Sequence, residues 1–450
     1  MSPRAAHPEL SLWQSAVREA VADRVAGGDL RRPEVADDAQ VRRSDAHVAE
    51  HLRRGTGPES EGPLGPILEL GRRAHLGLLT DAAEVFTHGR AYSGDDPAFA
   101  VDCIMKFIEW YGLGRHPIYR DWRQEGGGDI EFGVVQRPLP AGARVAVIGD
   151  WGTGMDDAEA LVRRLVRDCR ADALVHLGDI YYSGTPQEAR YNFAEPLAAA
   201  FRDRAAIPVF NLPGNHDYYS GGQGFFGLVD GPLGVAAGQK ASYFGVRTTD
   251  RRWQLVGVDT GQGDRVPGVN FDEFYSAPTL RDSEADWVRD KVQRFPGRTV
   301  MLSHHQLFSA HVPLNGSRSG RPRPNFNDRL LDLARPYAGR VAAWLWGHEH
   351  SLALYQDGLA GIARGRLVGC SGFEVGSGED PYVGRFPDVP FRSPEVRLSV
   401  HSGWYSHGFA VLDLGGPAIE YYEFPSWAPA RPPEDKPLKP LFVESLADQP

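Results

Sequence analysis

Between residues 144 and 350 one short phrase recurs five times: an apolar run, then a small residue, then a carboxylate, carboxamide or imidazole. The runs are RVAVIGD, ADALVHLGD, PVFNLPGNHD, RTVMLSHH and RVAAWLWGHEH. Continuous β-branched and apolar runs of this length read as strands buried on both faces. RWQLVGVDT follows the same grammar. After the first run, Ala158, Leu161, Val162, Leu165, Val166 and Cys169 recur on one face of a helical repeat. Strand and helix alternate, which predicts an α/β sheet with its loops gathered along one edge. Ligands of such sheets bind at the carboxyl ends of the strands, and each polar terminus falls there.

Collected from those ends, Asp150, Asp179, Tyr182, Asn215, His304, His348 and His350 offer oxygen and imidazole donors and no thiol. That chemistry suits divalent or trivalent ions of hard to borderline character. One catalytic ion seldom needs so many protein donors. Two ions sharing a bridging carboxylate do, and at ~3.5–4 Å separation they clamp the attacking and leaving oxygens of an in-line displacement. Taken singly, each residue has a plain structural reading: a strand-end Asp caps a turn, a Tyr packs, a buried Asn clips backbone. Order and placement favour the functional reading, and the HxH spacing of His348 and His350 on an extended segment points both rings the same way.

The ordered blocks GDWG, GDIYY, GNHD, MLSHH and GHEH resemble the five signatures of the calcineurin-like metallophosphoesterases. Their GDxG and GDxxY forms resemble the purple acid phosphatases in particular. Most of the superfamily has a His where this chain has Gly152, and the purple acid phosphatases replace that His with the Tyr of GDxxY, here Tyr182. The resemblance covers about residues 140–425 and implies a four-layer α/β/β/α sandwich. It also implies two metal ions. The first would take Asp150, Tyr182, His350 and one oxygen of Asp179; the second, Asp179, Asn215, His304 and His348. His304 rather than His305 falls where the family's strand-end ligand sits, leaving His305 to face substrate or support the ligands. A phenolate ligand implies Fe(III) in the first site, with Fe, Mn or Zn in the second.

The same resemblance implies hydrolysis of phosphate esters. Two cations neutralise the ester's oxygens and activate a water that attacks phosphorus in line. His216, next to Asn215, resembles the family's substrate-contacting His, with Asp217 placed to orient it. His311 is a second candidate acid or an ordinary loop histidine. A phosphomonoesterase is the favoured reading. A phosphodiesterase or nucleotide pyrophosphatase on the same centre is the alternative, and a non-catalytic scaffold is a third.

Other features bound these expectations. The chain has 450 residues and a formal net charge of −10, which argues against a nucleic-acid polymer or an anionic membrane surface as partner and leaves a small phosphorylated substrate. No apolar run reaches the ~20 residues of a bilayer span. The N-terminus lacks the apolar stretch of a secretory signal, and Cys103, Cys169 and Cys370 form no CxxC pair. A cytoplasmic protein is expected. Residues 1–130 read as an additional helical cap or packing region, with helices near Leu12–Arg24, Ile67–Thr87 and Pro97–Leu113; residues 426–450 read as a Pro-rich extended tail. His176, inside an apolar strand, reads as a core histidine. Arg318, Arg321 and Arg323 read as a solvated surface loop or as a loop that greets an anionic substrate, and residues 377–396 as a candidate lid.

Overall fold

The computed structural model describes residue 103 and residues 106–202, 206–265, 278–314, 324–378, 380–401, 403–425 and 436–447. Three parallel strands come first: β1 (Arg144–Ile148), β2 (Ala173–His176) and β3 (Val209–Asn211). The chain then builds a second sheet from β4 (Phe244–Arg247), β5 (Trp253–Val258), β6 (Arg298–Ser303), β7 (Val341–Trp346), β8 (Leu352–Leu354) and β9 (Gly365–Val368). Its order is β4-β5-β6-β7-β9-β8, parallel from β5 to β9 with antiparallel edges. A small hairpin of β10 (Val400–His401) and β11 (Trp404–Tyr405) follows. The chain finally returns to the first sheet with β12 (His407–Asp413), β13 (Ala418–Phe424) and β14 (Pro440–Ser445), giving the order β14-β13-β12-β1-β2-β3.

Strand periodicity sorts the side chains into layers. From β1, Val145 and Val147 enter the core between the sheets, while Ala146 and Ile148 face the helix Asp156–Asp168. In the second sheet, Val300, Leu302 and Leu345 face the first sheet. Met301, Trp344 and Trp346 face outward onto Trp287, Val288 and Leu330 of the helices Asp282–Arg294 and Asp328–Ala334. The result is the expected four-layer α/β/β/α sandwich. Both faces of each sheet are covered, which is why the strands read as continuous apolar runs. Full burial of each large apolar side chain contributes about 1.5–3 kcal/mol.

Part of the expected tail is sheet: β14 pairs antiparallel with β13 at the edge of the first sheet. A buried ionic cluster anchors it. The guanidinium of Arg366 on β9 donates from Nε to Glu444 Oε1 at 2.6 Å and from Nη2 to Oε2 at 2.7 Å. Tyr421 and Arg392 donate to the same carboxylate. The expected lid is fastened down along part of its length. Arg385 and Phe386 donate backbone N–H groups to Ala310 O at 2.7 and 3.1 Å, and Arg392 N–H to Leu354 O at 2.8 Å. Of the expected N-terminal helices, those near Leu12–Arg24 and Ile67–Thr87 lie outside the described residues, as do Arg318, Arg321 and Arg323. A helical stretch covers residues 106–111.

Candidate metal centre

Each strand that points its carboxyl end at the shared edge delivers one block of polar residues. Three of them leave the strand through left-handed backbone: Asp150 (φ 55), Asp179 (φ 71) and His348 (φ 69). Non-glycine residues held there cost on the order of 1–3 kcal/mol each, and such residues cluster at functional sites. The glycines before the donors are required by crowding. A Cβ on Gly214 would lie 2.0 Å from Asp179 Oδ1, and one on Gly347 would lie 2.5 Å from Asp150 Oδ2. At Gly152 a Cβ would meet the Asp179 carbonyl oxygen and Ile180 Cα at 2.8 Å. No side chain fits there without a backbone shift.

The buried donors form two adjoining groups. In the first, Asp150, Asp179 and His350 bring one ligand atom each within 4.8 Å of one another. Asp150 Oδ1 lies 3.5 Å from His350 Nε2. The phenol here belongs to Tyr181, not Tyr182: Tyr181 Oη donates to Asp150 Oδ1 at 3.1 Å and lies 3.0 Å from His350 Nε2. Tyr182 instead presents its backbone carbonyl to His216 Nδ1 at 2.6 Å. The expectation for Tyr182 is thus corrected by one residue. GDIYY offers two adjacent tyrosines, and the family spacing picked the second, while the loop turns the first inward.

The second group centres on Asn215. Its Oδ1 lies 3.0 Å from His304 Nε2 and 3.1 Å from His348 Nδ1. Asn215 Nδ2 donates to Tyr219 Oη at 2.7 Å, which fixes the amide with its oxygen inward. His304 Nδ1 lies 3.2 Å from the Leu177 carbonyl, to which it can only donate, so its Nε2 carries a lone pair. A carbonyl oxygen and an imidazole lone pair facing each other at 3.0 Å repel unless a cation lies between them. Asp179 Oδ1, 3.5 Å from His304 Nε2, joins this group to the first. Burial holds His304 well below its ordinary pKa and pushes His348 down to about 4, so both stay neutral donors. Asp179 is raised well above the carboxylate range, by burial first and then by Asp150 and Asp217. An excess of buried negative charge beside neutral imidazoles fits cations.

The remaining candidates divide. His216 is mostly buried, with Nε2 4.0 Å from Asp179 Oδ2; because Nδ1 donates to Tyr182 O, its Nε2 is the acceptor facing the donors. Asp217 does not orient it. Its Oδ2 accepts the backbone N–H groups of Asp179 at 3.0 Å and Gly214 at 2.8 Å, and burial pushes its carboxyl up to about 7. It clips two ligand loops together. His305 stands with His304 and His348, one ligand atom of each within 4.8 Å of the others, while its Nδ1 lies 3.0 Å from Thr260 Oγ1 and its Nε2 3.0 Å from Asp264 Oδ2. It packs its ring 4.4 Å from that of His348. His311 takes a backbone hydrogen bond to Ser309 Oγ, and its Nδ1 is buried without a partner. His176 is a core residue, 2.6 Å from Asn211 Oδ1.

Beyond Tyr181, two further side chains shape the centre. Phe373 stacks on His350 with ring centroids 4.1 Å apart. It follows β9 in the phrase RLVGCSGF, the same strand-end grammar with an aromatic residue. Gln306 donates to Glu349 Oε1 at 2.9 Å, holding the GHEH loop against the MLSHH loop.

Residues 143–352 match the calcineurin-like phosphoesterase family. They form a calcineurin-like phosphoesterase domain. The family works with two metal ions, and the enzyme is a metal-dependent phosphoesterase. Among solved structures, the phosphoesterase is similar to a dimetal phosphatase from Danio rerio, at 13% identity over 64% of this chain and 96% of that one, with a TM-score of 0.42. A purple acid phosphatase from yellow lupin seeds matches at 13% identity over 64% of this chain and 53% of that one, with a TM-score of 0.40. No curated protein sequence matches the chain.

Proposed function

We propose that the phosphoesterase hydrolyses small phosphomonoesters at two adjoining ions. Asp150, Tyr181, His350 and Asp179 would hold the first, and Asp179, Asn215, His304 and His348 the second. One observation carries the reading: two largely buried donor groups stand side by side, with Asp179 Oδ1 of the first 3.5 Å from His304 Nε2 of the second. Ions bound there supply charge neutralisation for phosphate oxygens and a water acidic enough to attack phosphorus. The protein's own residues do the rest. His216 presents Nε2 beside Asp179; burial pushes its pKa down to about 3, so the neutral ring takes a proton at Nε2 from the attacking water and passes it to the departing alkoxide. Asp217 keeps the Asp179 and Gly214 loops in register. Asn215 is locked by Tyr219, so its oxygen needs no reorganisation when an ion or substrate binds.

The phenol and two carboxylates of the first site favour Fe(III), since hard anionic oxygens suit a small trivalent ion; Fe, Mn or Zn suits the second. Cytoplasmic residence is supported by three buried cysteines, none of them in a disulfide. The test is metal analysis with visible spectroscopy, followed by comparison of nitrophenyl phosphate with its bis-ester. Two ions per chain, a tyrosinate charge-transfer band and preference for the monoester are expected. Preference for the bis-ester would replace monoesterase with diesterase, and failure to bind metal after reconstitution would end the proposal.

A further inference from the structure

The helix Asn215–Tyr219 is only five residues long, yet it carries Asn215 and His216. A helix of that length has no stability of its own in water, so its position must come from what surrounds it. Its N-terminal end is held by Asp217 on Gly214 N. Its C-terminal end is held from outside the family-matched residues. Tyr111 Oη donates to Tyr218 O at 2.9 Å, and Ile118 N–H donates to Gly221 O at 2.9 Å. The indole of Trp110 lies so close to Gly221 that a Cβ there would sit 2.1 Å from its ring. Gly221, with φ 79, therefore fits only as glycine.

The same segment reaches the other side of His216. Cys103 Sγ donates to Tyr182 O at 3.2 Å, the carbonyl that receives His216 Nδ1 at 2.6 Å. A carbonyl oxygen has two lone pairs, and here one is taken by the thiol and the other by the imidazole. The thiol is buried against Tyr181, Tyr182 and Tyr219.

We infer that Cys103 and residues 106–118 form a positioning clamp for the reaction centre, with Cys103 and Tyr111 fixing the ring of His216 through the Tyr182 carbonyl and the Tyr218 carbonyl. The inference rests on the proposed role of His216. The clamp lies before residue 143, where the family match begins, and so gives this part of the chain a place in catalysis. Neither residue touches substrate; both act through His216.

The experiment compares Cys103→Ala, Cys103→Ser and Tyr111→Phe in the full chain. Cys103→Ala and Tyr111→Phe are expected to keep both metals and an unchanged KM, with kcat lowered roughly three- to thirty-fold, as small misplacements of a reacting group do. Cys103→Ser keeps a donor and is expected to recover most of kcat. Nitrogen-15 NMR of the zinc-loaded protein reads the His216 Nδ1–H signal directly, without turnover. It should shift in Cys103→Ala and return in Cys103→Ser. Wild-type kcat and an unmoved His216 signal in all three variants would overturn the clamp. So would equal losses in the Ala and Ser variants with an unmoved signal. A moved signal in a protein that hydrolyses no phosphoester would keep the clamp and overturn the proposed function instead.

Discussion

Tyr181 and Tyr182 are neighbours, but only one phenol meets Asp150 and His350. If the first ion is Fe(III), Tyr181→Phe should abolish the visible charge-transfer band and Tyr182→Phe should leave it, as an absorption spectrum at equal iron content would tell. At Gly214 the constraint is space: a Cβ 2.0 Å from Asp179 Oδ1 must displace the carboxylate that links the first group to His304. Gly214→Ala should fold, judged by circular dichroism, but bind fewer than two ions per chain by elemental analysis. His216→Ala removes a group that faces the donors at 4.0 Å without belonging to either cluster. It should retain both ions while kcat falls on the order of a hundredfold or more; metal loss would make His216 a ligand.

At the scale of the element, β14 is held by charge as much as by its ladder. Burial alone would raise Glu444, but the hydrogen bonds and charge of Arg366 outweigh it and hold the carboxyl below its ordinary range. A carboxylate depressed in this way adds stability above the unfolded value of about pH 4.3, and the gain is lost as pH falls through the folded value. Glu444→Gln leaves Arg366 between a neutral amide and Asp357, which still accepts from its Nη2 at 2.6 Å. It should cost about 1.5–3 kcal/mol at neutral pH, and the gap in urea midpoints between mutant and wild type should narrow in acid. The strands that were readable from sequence are those whose both faces are covered, such as β7 with VAAWLW. β14 was not, because LFVES is short, half exposed and placed after a Pro-rich stretch. The donor blocks were legible because each follows a strand directly. The inward phenol, the Thr260 and Asp264 partners of His305 and the clipping role of Asp217 were not, since loop side chains obey no period and their direction is set by contacts from distant blocks.

For the whole molecule, the centre is a seam. Asp150, Asp179 and Asn215 follow strands of one sheet, and His304, His348 and His350 follow strands of the other. Ions that bind only when the two sheets are apposed stabilise the folded state by mass action, about 4 kcal/mol at a thousandfold excess over Kd. Chelation should therefore lower the thermal unfolding midpoint of the whole protein in one cooperative transition, and restoring the ion should raise it again; a midpoint indifferent to chelator would mean that the sheets hold together without the seam. The order in which the sheets are written matters during synthesis. β1 sits in the middle of the first sheet, yet its partner β12 is made about sixty residues after His350, the last of the donors. At roughly 5–20 residues per second on a ribosome, the nascent chain spends several seconds with every donor already made and a central strand still bare along one side. The protein is thus expected to depend on chaperones most in that interval, and to load its ions only once translation has ended.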